Sequence, residues 1–291
     1  MKKGKLPYIT LLALLLCLVT VLAQADNFQR YAGIWTEKDE GEGIHFLIRE
    51  DGKYLRINSK DIPDSVGTLS LQKEEIETTV HDLVVFNSEY GEKIEGGFYD
   101  NGNPVLESFQ FGNGDGPVYV RNPAGMSELP LPEYSYTGDD LCTRAIIDYM
   151  NREIRPLYSD YDVYIPVPVI LGQRETSSQE ITVVGNFWSY GFELYGRSLF
   201  LTCGGETPAV FHLRVNDGTA EIVSVEQAGD GDEYAEDIAR FAKENEIEES
   251  LFLDENRRDA LCISTVAEYI RTNSLMVDNL YQYGWPGSVL P

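Results

Sequence analysis

The chain has 291 residues, and its 23 lysines and arginines against 48 aspartates and glutamates give a formal net charge of −25 at pH 7. A surface this negative repels nucleic acids and anionic lipid headgroups, so we expect neither as a partner. Because 43% of the residues are hydrophobic, the chain can form packed cores, and its acidity does not indicate disorder.

The first 25 residues have the three parts of a secretory signal peptide. Lysines near the start precede the apolar run ITLLALLLCLVTVLA, and Ala-Gln-Ala at 23–25 forms a small-residue cleavage site. A lipid-attachment signal at Cys17 is the alternative, but Leu16 stands where such signals have a small residue. We therefore predict cleavage after Ala25, a secreted or periplasmic protein, and no membrane-spanning segment.

Three cysteines follow residue 25: Cys142, Cys203 and Cys262. An odd number cannot be fully paired within one chain, so at least one thiol is free or joined to another molecule. Cys142 and Cys262 fall on predicted helices of one domain, and an exported protein could oxidise them to a disulfide. Two buried thiols are the alternative.

The composition divides the chain at residues 123–138, which contain three prolines and two glycines and show neither helical nor strand periodicity. We interpret this segment as a linker between a domain over residues 26–122 and a domain over residues 139–291. A plain tether and a proline-rich ligand for a partner are both open for it.

The first domain is predicted to be all β. Residues 44–48 alternate between two faces, and Asp51-Gly52 and Asn101-Gly102 are typical hairpin turns. About eight short strands at hairpin spacing indicate an antiparallel meander that forms a small barrel or a sandwich.

Gly33-Ile34-Trp35, near the start of the first strand, resembles the glycine-x-tryptophan opening of lipocalin-like barrels. The resemblance implies a barrel whose closed end is plugged by the tryptophan and whose interior holds an apolar ligand. The segment is shorter than a usual lipocalin, which favours a packed barrel without a ligand cup.

The second domain is predicted to be α+β. A helix capped by Thr137 or Asp139 ends at Pro156, and antiparallel strands and two further helices follow it. Pro166 and Pro168 confine their strand to a sheet edge because proline lacks the N–H that a ladder needs. The segment GGETPA at 204–209 is read as a hairpin turn, and so is Asp217-Gly218. The first helix is expected to lie across a curved sheet.

The order of these elements resembles the cystatin-like and nuclear-transport-factor-like cone folds. The domain is also similar to uncharacterised secreted domains of gut and oral bacteria. The residues that carry this second similarity are Phe187-Trp188, Gly204-Gly205 with Pro208, and Tyr283-Gly284-Trp285. The similarity implies no activity.

The stretch GNFWSYGFELYG, residues 185–196, has apolar side chains on both faces of an extended strand, which predicts a central strand. Val184, Trp188, Tyr190, Phe192 and Leu194 share one face, and Ile181, Val183 and Phe187 share the other. These rings either fill a core or line a pocket turned toward the first helix. The candidate ligand-binding residues are Trp188, Tyr190, Phe192, Tyr149 and Tyr164.

Catalytic and metal-binding patterns are weak. Cys203 and His212 flank the predicted GGETPA turn, but that register keeps them too far apart for a thiol–imidazole pair. No zinc motif or other cofactor motif is present, so we predict no metal and no cofactor. Residues 230–236 faintly resemble a calcium loop, although Asp232 and Glu233 are better explained as the capping acids of the helix that follows.

These observations favour an exported, soluble protein without catalytic activity that binds a peptide, a protein partner or an apolar small molecule. The alternative is an enzyme, a hydrolase or an isomerase, with its site in the concave face of the second domain. Asp148, Tyr149, Tyr164 and Tyr190 are the groups that such a site could use. The oligomeric state is open.

Overall fold

The computed structural model describes residues 28–38, 43–76, 79–94, 97–100, 106–111, 116–122, 129–177 and 179–290. The predicted signal peptide, the Asn101-Gly102 turn and the first part of the predicted linker lie outside these residues. Contacts divide the chain into a first unit of residues 1–126, 195–198 and 281–288 and a second unit of residues 127–194, 199–280 and 289–291. Within the described part, no helix has the length and apolar composition that crossing a bilayer requires.

The first unit contains an eight-stranded antiparallel sheet. Its strands are β1 (Gly33–Glu37), β2 (His45–Ile48), β3 (Lys53–Ile57), β4 (Pro63–Ile76), β5 (Thr79–Gly91), β6 (Gly97–Asp100), β7 (Ser108–Gln110) and β8 (Val118–Asn122). Their order is β6-β5-β4-β3-β2-β1-β8-β7, so most neighbours in the sheet are neighbours in the chain. Gly52 at the β2–β3 turn has a φ of 86°, which confirms the predicted Asp51-Gly52 turn.

The two end strands of this sheet approach each other. Phe98 on β6 and Phe109 on β7 stack with their ring centroids 4.3 Å apart, so the sheet forms a nearly closed antiparallel barrel. Its interior is filled by apolar, largely aromatic side chains: Phe28, Tyr31, Trp35, Phe46, Ile48, Tyr54, Leu69, Val84, Phe86, Phe98, Leu106, Phe109 and Tyr119. The predicted β meander is confirmed, with a barrel-like sheet and a packed interior.

Trp35 lies in this interior with none of its surface exposed. Its indole Nε1 donates a hydrogen bond to the carbonyl oxygen of Tyr31 at 2.8 Å. The Phe109 ring packs 5.0 Å from the indole, and the Arg121 guanidinium lies 5.3 Å from the indole centroid. Trp35 is therefore a central packing residue of the barrel.

The second unit contains most of a six-stranded sheet. Its helices are α1 (Leu141–Tyr149), α2 (Asp232–Glu244) and α3 (Glu255–Asn273). A π-helical turn (Met150–Ile154) and a 3₁₀ turn (Arg155–Leu157) extend α1, and a 3₁₀ turn (Glu249–Leu253) precedes α3. The strands of the sheet are β9 (Val163–Glu175), β10 (Glu180–Tyr195), β11 (Ser198–Asn216), β12 (Thr219–Gln227), β13 (Asn279–Gln282) and β14 (Trp285–Val289). Their order is β14-β13-β11-β10-β9, and β12 pairs with β11.

Two local predictions for this unit are wrong. The GGETPA segment is not a turn, because β11 runs through it as one strand of 19 residues. The cap of α1 is neither Thr137 nor Asp139, since the Asp140 carboxylate accepts the backbone N–H of Thr143 at 2.6 Å. The Asp217-Gly218 turn is confirmed, and both of its residues have positive φ, as a two-residue hairpin requires.

The hydrogen-bonding edges of strands β9 and β12 are both interrupted, by prolines in β9 and by a β-bulge in β12. β9 is an edge strand, which confirms the position predicted from Pro166 and Pro168. His212 of β11 pairs with Ser224 of β12 and Leu213 pairs with Ile222, so Val223 is an extra residue in a β-bulge of β12. The bulge bends the strand and leaves Val223 54% exposed.

The central strand β10 is covered on both faces. One face packs Val183 and Phe187 against Ile146 and other residues of α1. The opposite face packs Tyr190, Phe192 and Leu194 against α3. The predicted division of β10 into two apolar faces is confirmed. Its indole and phenol rings, however, face α3 and not the first helix as expected, because α1 packs on the Phe187 face.

The three cysteines of the described chain are free thiols. Cys142 belongs to the core between α1 and the sheet, whereas Cys262 packs against the core on the α3 side. The structure therefore does not form the proposed Cys142–Cys262 disulfide, because the two thiols lie in cores on opposite faces of the sheet.

Protein expressed from residue 26 is expected to show three reactive thiols per chain when it is denatured without reductant. In the folded protein at pH 8 the same thiols should react slowly, because burial raises the pKa of Cys142 and Cys203 and raises that of Cys262 to about 12. Titration with an aromatic disulfide reagent measures the reaction rate of the thiols in the folded protein and the number of thiols per chain after denaturation. One thiol per denatured chain would instead reveal an intramolecular disulfide.

Candidate functional site

The second unit contains a hollow of about 110 Å³ where β9 begins, at the edge of its sheet. Three stretches of chain contribute its wall: part of the predicted linker, the turns that extend α1, and the first residues of β9. The lining residues are Glu133, Tyr134, Asn151, Arg155, Asp162, Val163 and Tyr164. Most of these side chains are polar, so the hollow favours a polar ligand over an apolar one.

The turns that follow α1 bring Asn151 and Arg155 to this wall. After Tyr149 the helix widens into the π-helical turn and then narrows into the 3₁₀ turn that contains Pro156. Proline has no N–H to continue the helical hydrogen bonds, which explains why the helix ends here. Short π-helical turns are frequent at functional sites because they change the directions of the side chains around them.

Residues of the predicted linker are docked on the second unit. Leu131 is buried in the core with Tyr269 of α3, and the Tyr269 hydroxyl donates to the carbonyl oxygen of Pro132 at 2.7 Å. The Tyr134 ring lies 6.4 Å from the Tyr269 ring. These contacts hold Glu133 and Tyr134 at the hollow, so this part of the segment is not a free tether.

Arg155 supplies the positive charge of the hollow. Its Nε donates to the Tyr161 hydroxyl at 3.2 Å, and its Nη1 donates to Glu133 Oε1 at 3.1 Å. These two hydrogen bonds raise the pKa of Arg155 further above its already high ordinary value, so the guanidinium stays charged. Its Nη2 has no hydrogen-bond partner among the residues that the structure describes.

Two tyrosines and an asparagine supply neutral polar groups. Burial raises the pKa of Tyr134 to about 12, with a smaller contribution from Glu268, and burial raises that of Tyr164 to about 12. Both phenols are therefore protonated at neutral pH. The Tyr164 hydroxyl is 2.7 Å from Ser189 Oγ. The Tyr134 hydroxyl and the Asn151 amide have no hydrogen-bond partner within the described ranges.

Asp162 connects the hollow to the sheet. Its Oδ2 accepts the backbone N–H of Leu194 at 2.7 Å, and its own N–H donates to the carbonyl oxygen of Phe192 at 2.8 Å. These bonds pair the start of β9 with the end of β10. The Asp162 carboxylate therefore has a structural role at the rim of the hollow.

The predicted ligand-binding residues do not form one site. Tyr164 lines the hollow. The Tyr149 ring packs 5.3 Å from Phe211, and its hydroxyl accepts a hydrogen bond from the Gln227 side chain, away from the hollow. Tyr149 thus acts in the packing of α1 on the sheet.

The other three predicted residues lie on the opposite face of β10, toward α3. Trp188 and Tyr190 stack with their centroids 6.0 Å apart, and Phe192 continues the row at 6.1 Å from Tyr190. The Arg258 guanidinium of α3 lies 4.9 Å from the Trp188 centroid. Phe192 is fully buried, which identifies this row as the edge of a core. The same core contains Val163 and Tyr134 of the hollow's wall, so the row lies behind that wall and does not line the hollow.

The residues considered for calcium are used in other ways. The N-cap of α2 is Gly231, with no side-chain cap, and Asp232 and Glu233 lie in the first turn, where acids favour the positive helix end. The Tyr234 hydroxyl donates to Glu206 at 2.6 Å. The described residues contain no cluster of three or more histidines, cysteines, aspartates or glutamates that could hold a metal ion.

Cys203 and His212 are too far apart to act together. They lie 212 − 203 = 9 positions apart on the single strand β11, which corresponds to roughly 30 Å at the rise of an extended chain. The Cys203 thiol donates to the carbonyl oxygen of Ser159 at 3.7 Å. The His212 ring contacts Thr182 and Glu226. The arrangement supplies no thiol–imidazole pair for hydrolysis.

Comparison with known proteins adds no relative: no protein-family model, no curated protein and no solved structure matches the chain. The site therefore rests on its geometry. Sequence reasoning identified Tyr164 and missed Glu133, Tyr134, Asn151 and Arg155. The available signal was Pro156, which marks the end of α1 and hence a place where side chains surround an irregular backbone.

Proposed function

We propose that this protein is a binding protein without catalytic activity and that it holds its ligand in the hollow at the start of β9. The observation that carries the proposal is the set of three polar groups in the wall that lack a hydrogen-bond partner within the described chain. These groups are the Arg155 Nη2, the Tyr134 hydroxyl and the Asn151 amide. These groups are partly exposed, so water pairs them in the free protein, and a ligand that replaces this water gains only about 1 kcal/mol net for each hydrogen bond.

The size and polarity of the hollow support a small polar group as the ligand. A volume of about 110 Å³ is well below the several hundred Å³ of a pocket for a drug-sized molecule. It accommodates a few water molecules or a fragment of a few heavy atoms. Among the ligand classes expected from the sequence, a peptide that inserts one end fits this hollow better than an apolar molecule does.

The barrel of the first unit is proposed as a scaffold. The lipocalin-like resemblance implies an apolar ligand inside the barrel, but Phe46, Phe86 and Phe109 occupy that space together with other rings. The order of helix, strands and helices in the second unit supports the proposed α+β cone class. The signal-peptide pattern supports a location outside the cytoplasm, secreted or periplasmic.

Filling the hollow should abolish binding. In Asn151→Trp the indole is expected to occupy the space between the turns after α1 and the start of β9. Arg152→Trp is the matched control, because Arg152 is the next residue and its side chain is 67% exposed. We expect native mass spectrometry with a pool of polar metabolites and short peptides to show adducts of the wild type and of Arg152→Trp, and none of Asn151→Trp.

Circular dichroism should show the same fold for all three proteins. Adducts that persist unchanged in folded Asn151→Trp would place the ligand elsewhere and overturn the proposal. Wild-type protein that retains no member of the pool would also count against a binding function for this hollow.

A further inference from the structure

We infer that the group bound in this hollow is a carboxylate. In the free protein, the Glu133 carboxylate occupies the position on Arg155 that the carboxylate of the ligand takes on binding. The inference rests on the proposed function and specifies the ligand class of the same site. It rests on the contact between Arg155 and Glu133, which occupies one branch of the guanidinium. Beside this contact lie the Tyr134 hydroxyl and the Asn151 amide, which have no partner among the described residues.

The Arg155 guanidinium presents a planar fork that matches a carboxylate. One branch, Nη1, already donates to Glu133 Oε1 at 3.1 Å, and the other branch, Nη2, has no partner in the described chain. A carboxylate that displaced Glu133 could accept hydrogen bonds from both branches, whereas Glu133 engages one. Bidentate pairs of this kind are stronger and more specific than single contacts.

The neighbouring groups suit the same ligand. The Tyr134 hydroxyl is protonated at neutral pH and donates a hydrogen bond, and the Asn151 amide can donate as well. Donors that surround a guanidinium recognise an acceptor-rich group. A cationic ligand would leave these donors unpaired and would lie beside the Arg155 charge.

Glu133 is well placed to leave. Its side chain is 80% exposed, so its ion pair with Arg155 is in contact with water, where such pairs contribute little stability. The second carboxylate of the hollow, Asp162, is engaged by the backbone N–H of Leu194 at 2.7 Å. The negative charge of the whole chain acts at long range and is screened beyond about 8 Å at physiological salt, so the local donors decide the affinity.

The test compares a carboxylate with its neutral analogue. A mixture of N-acetylated tripeptides with free C-termini and the same mixture as C-terminal amides are titrated into the full chain. Sodium butyrate is the small-acid arm. We expect the acids to bind at least about tenfold more tightly than the amides, and Arg155→Met to remove this preference, because a charge-assisted pair is lost. Butyrate binding as tight as that of the peptides would identify a free small acid as the ligand. Much weaker butyrate binding would identify the C-terminus of a peptide. Both results support the inference that the bound group is a carboxylate.

Two glutamine variants test the role of Glu133. Glu133→Gln removes the internal competitor and should strengthen acid binding by roughly two- to fivefold. Glu153→Gln is the control, because Glu153 makes a similar exposed pair with Arg152 and the change in net charge is the same. An equal gain in both variants would show a general charge effect and overturn the role of Glu133.

The outcomes separate this inference from the proposed function. Equal binding of acids and amides, with both blocked by Asn151→Trp, would overturn the carboxylate and leave the binding site intact. Acid binding that Asn151→Trp does not weaken would overturn the site itself. Preference for acids that survives in folded Arg155→Met would overturn the assignment of Arg155.

Discussion

Trp35→Ala is expected to lower the free energy of unfolding of the first unit by about 3–5 kcal/mol, the usual cost of truncating a large buried aromatic side chain. The substitution opens a cavity beside Phe109 and removes the surface under the Arg121 guanidinium. It also deprives the carbonyl oxygen of Tyr31 of the indole N–H at 2.8 Å. Urea denaturation followed by far-ultraviolet circular dichroism measures the loss.

Trp285→Ala is the matched control for this substitution. It removes the same side chain from another residue of the first unit, but Trp285 is 65% exposed, so the expected change is within about 0.5 kcal/mol. Equal losses for the two variants would contradict the placement of Trp35 at the centre of the barrel.

Phe187→Ala is expected to destabilise the second unit by a similar amount, about 3–5 kcal/mol. Phe187 is 1% exposed and packs its ring edge to face with Phe211 at 4.7 Å, beneath α1. Its removal leaves a cavity between the sheet and the helix. The loss is measured as a lower midpoint of urea unfolding than that of the wild type, with an unchanged dependence of the unfolding free energy on urea concentration.

Trp188→Ala tests the opposite face of the same strand. Trp188 is the larger residue, yet it is only partly buried, and its ring contacts Arg258 and Tyr190 at the edge of a core. We therefore expect a smaller loss than for Phe187→Ala. A larger loss for Trp188→Ala would mean that the principal core of the unit lies on the α3 side.

Much of the fold could be predicted because its signals are local. Asp51-Gly52 and Asp217-Gly218 form hairpin turns in the structure, and their type depends on residues at the turn itself. The two-faced pattern of β10 predicted a central strand, since side chains alternate along an extended backbone. The prolines of β9 predicted an edge for an equally local reason.

The prediction failed where glycine had a different role. Gly204 and Gly205 suggested a turn, but neither has a positive φ, and both lie within β11. A Cβ atom at Gly204 would stand 2.9 Å from the carbonyl oxygen of Ser189. The glycine therefore permits close packing of strands, a requirement that depends on residues distant in sequence.

The hollow could not be predicted because its wall also depends on residues that are distant in sequence. Tyr164 was identified because it is an aromatic residue on a predicted strand. Asn151 and Arg155 lie on a π-helical and a 3₁₀ turn, which have no periodicity that a sequence reveals. Glu133 and Tyr134 lie in a proline-rich segment, and its packing depends on Tyr269, more than 130 positions away.

The interruptions in β9 and β12 affect how the folded chain behaves at high concentration. Strand edges with regularly spaced free N–H and C=O groups recruit strands from other molecules and begin fibrils. Pro166 and Pro168 remove two successive donors on one side of β9, and the bulge at Val223 twists the other margin out of register. A neighbouring molecule would find no continuous ladder at either place, so we expect neither of these two strand margins to start amyloid-like self-association.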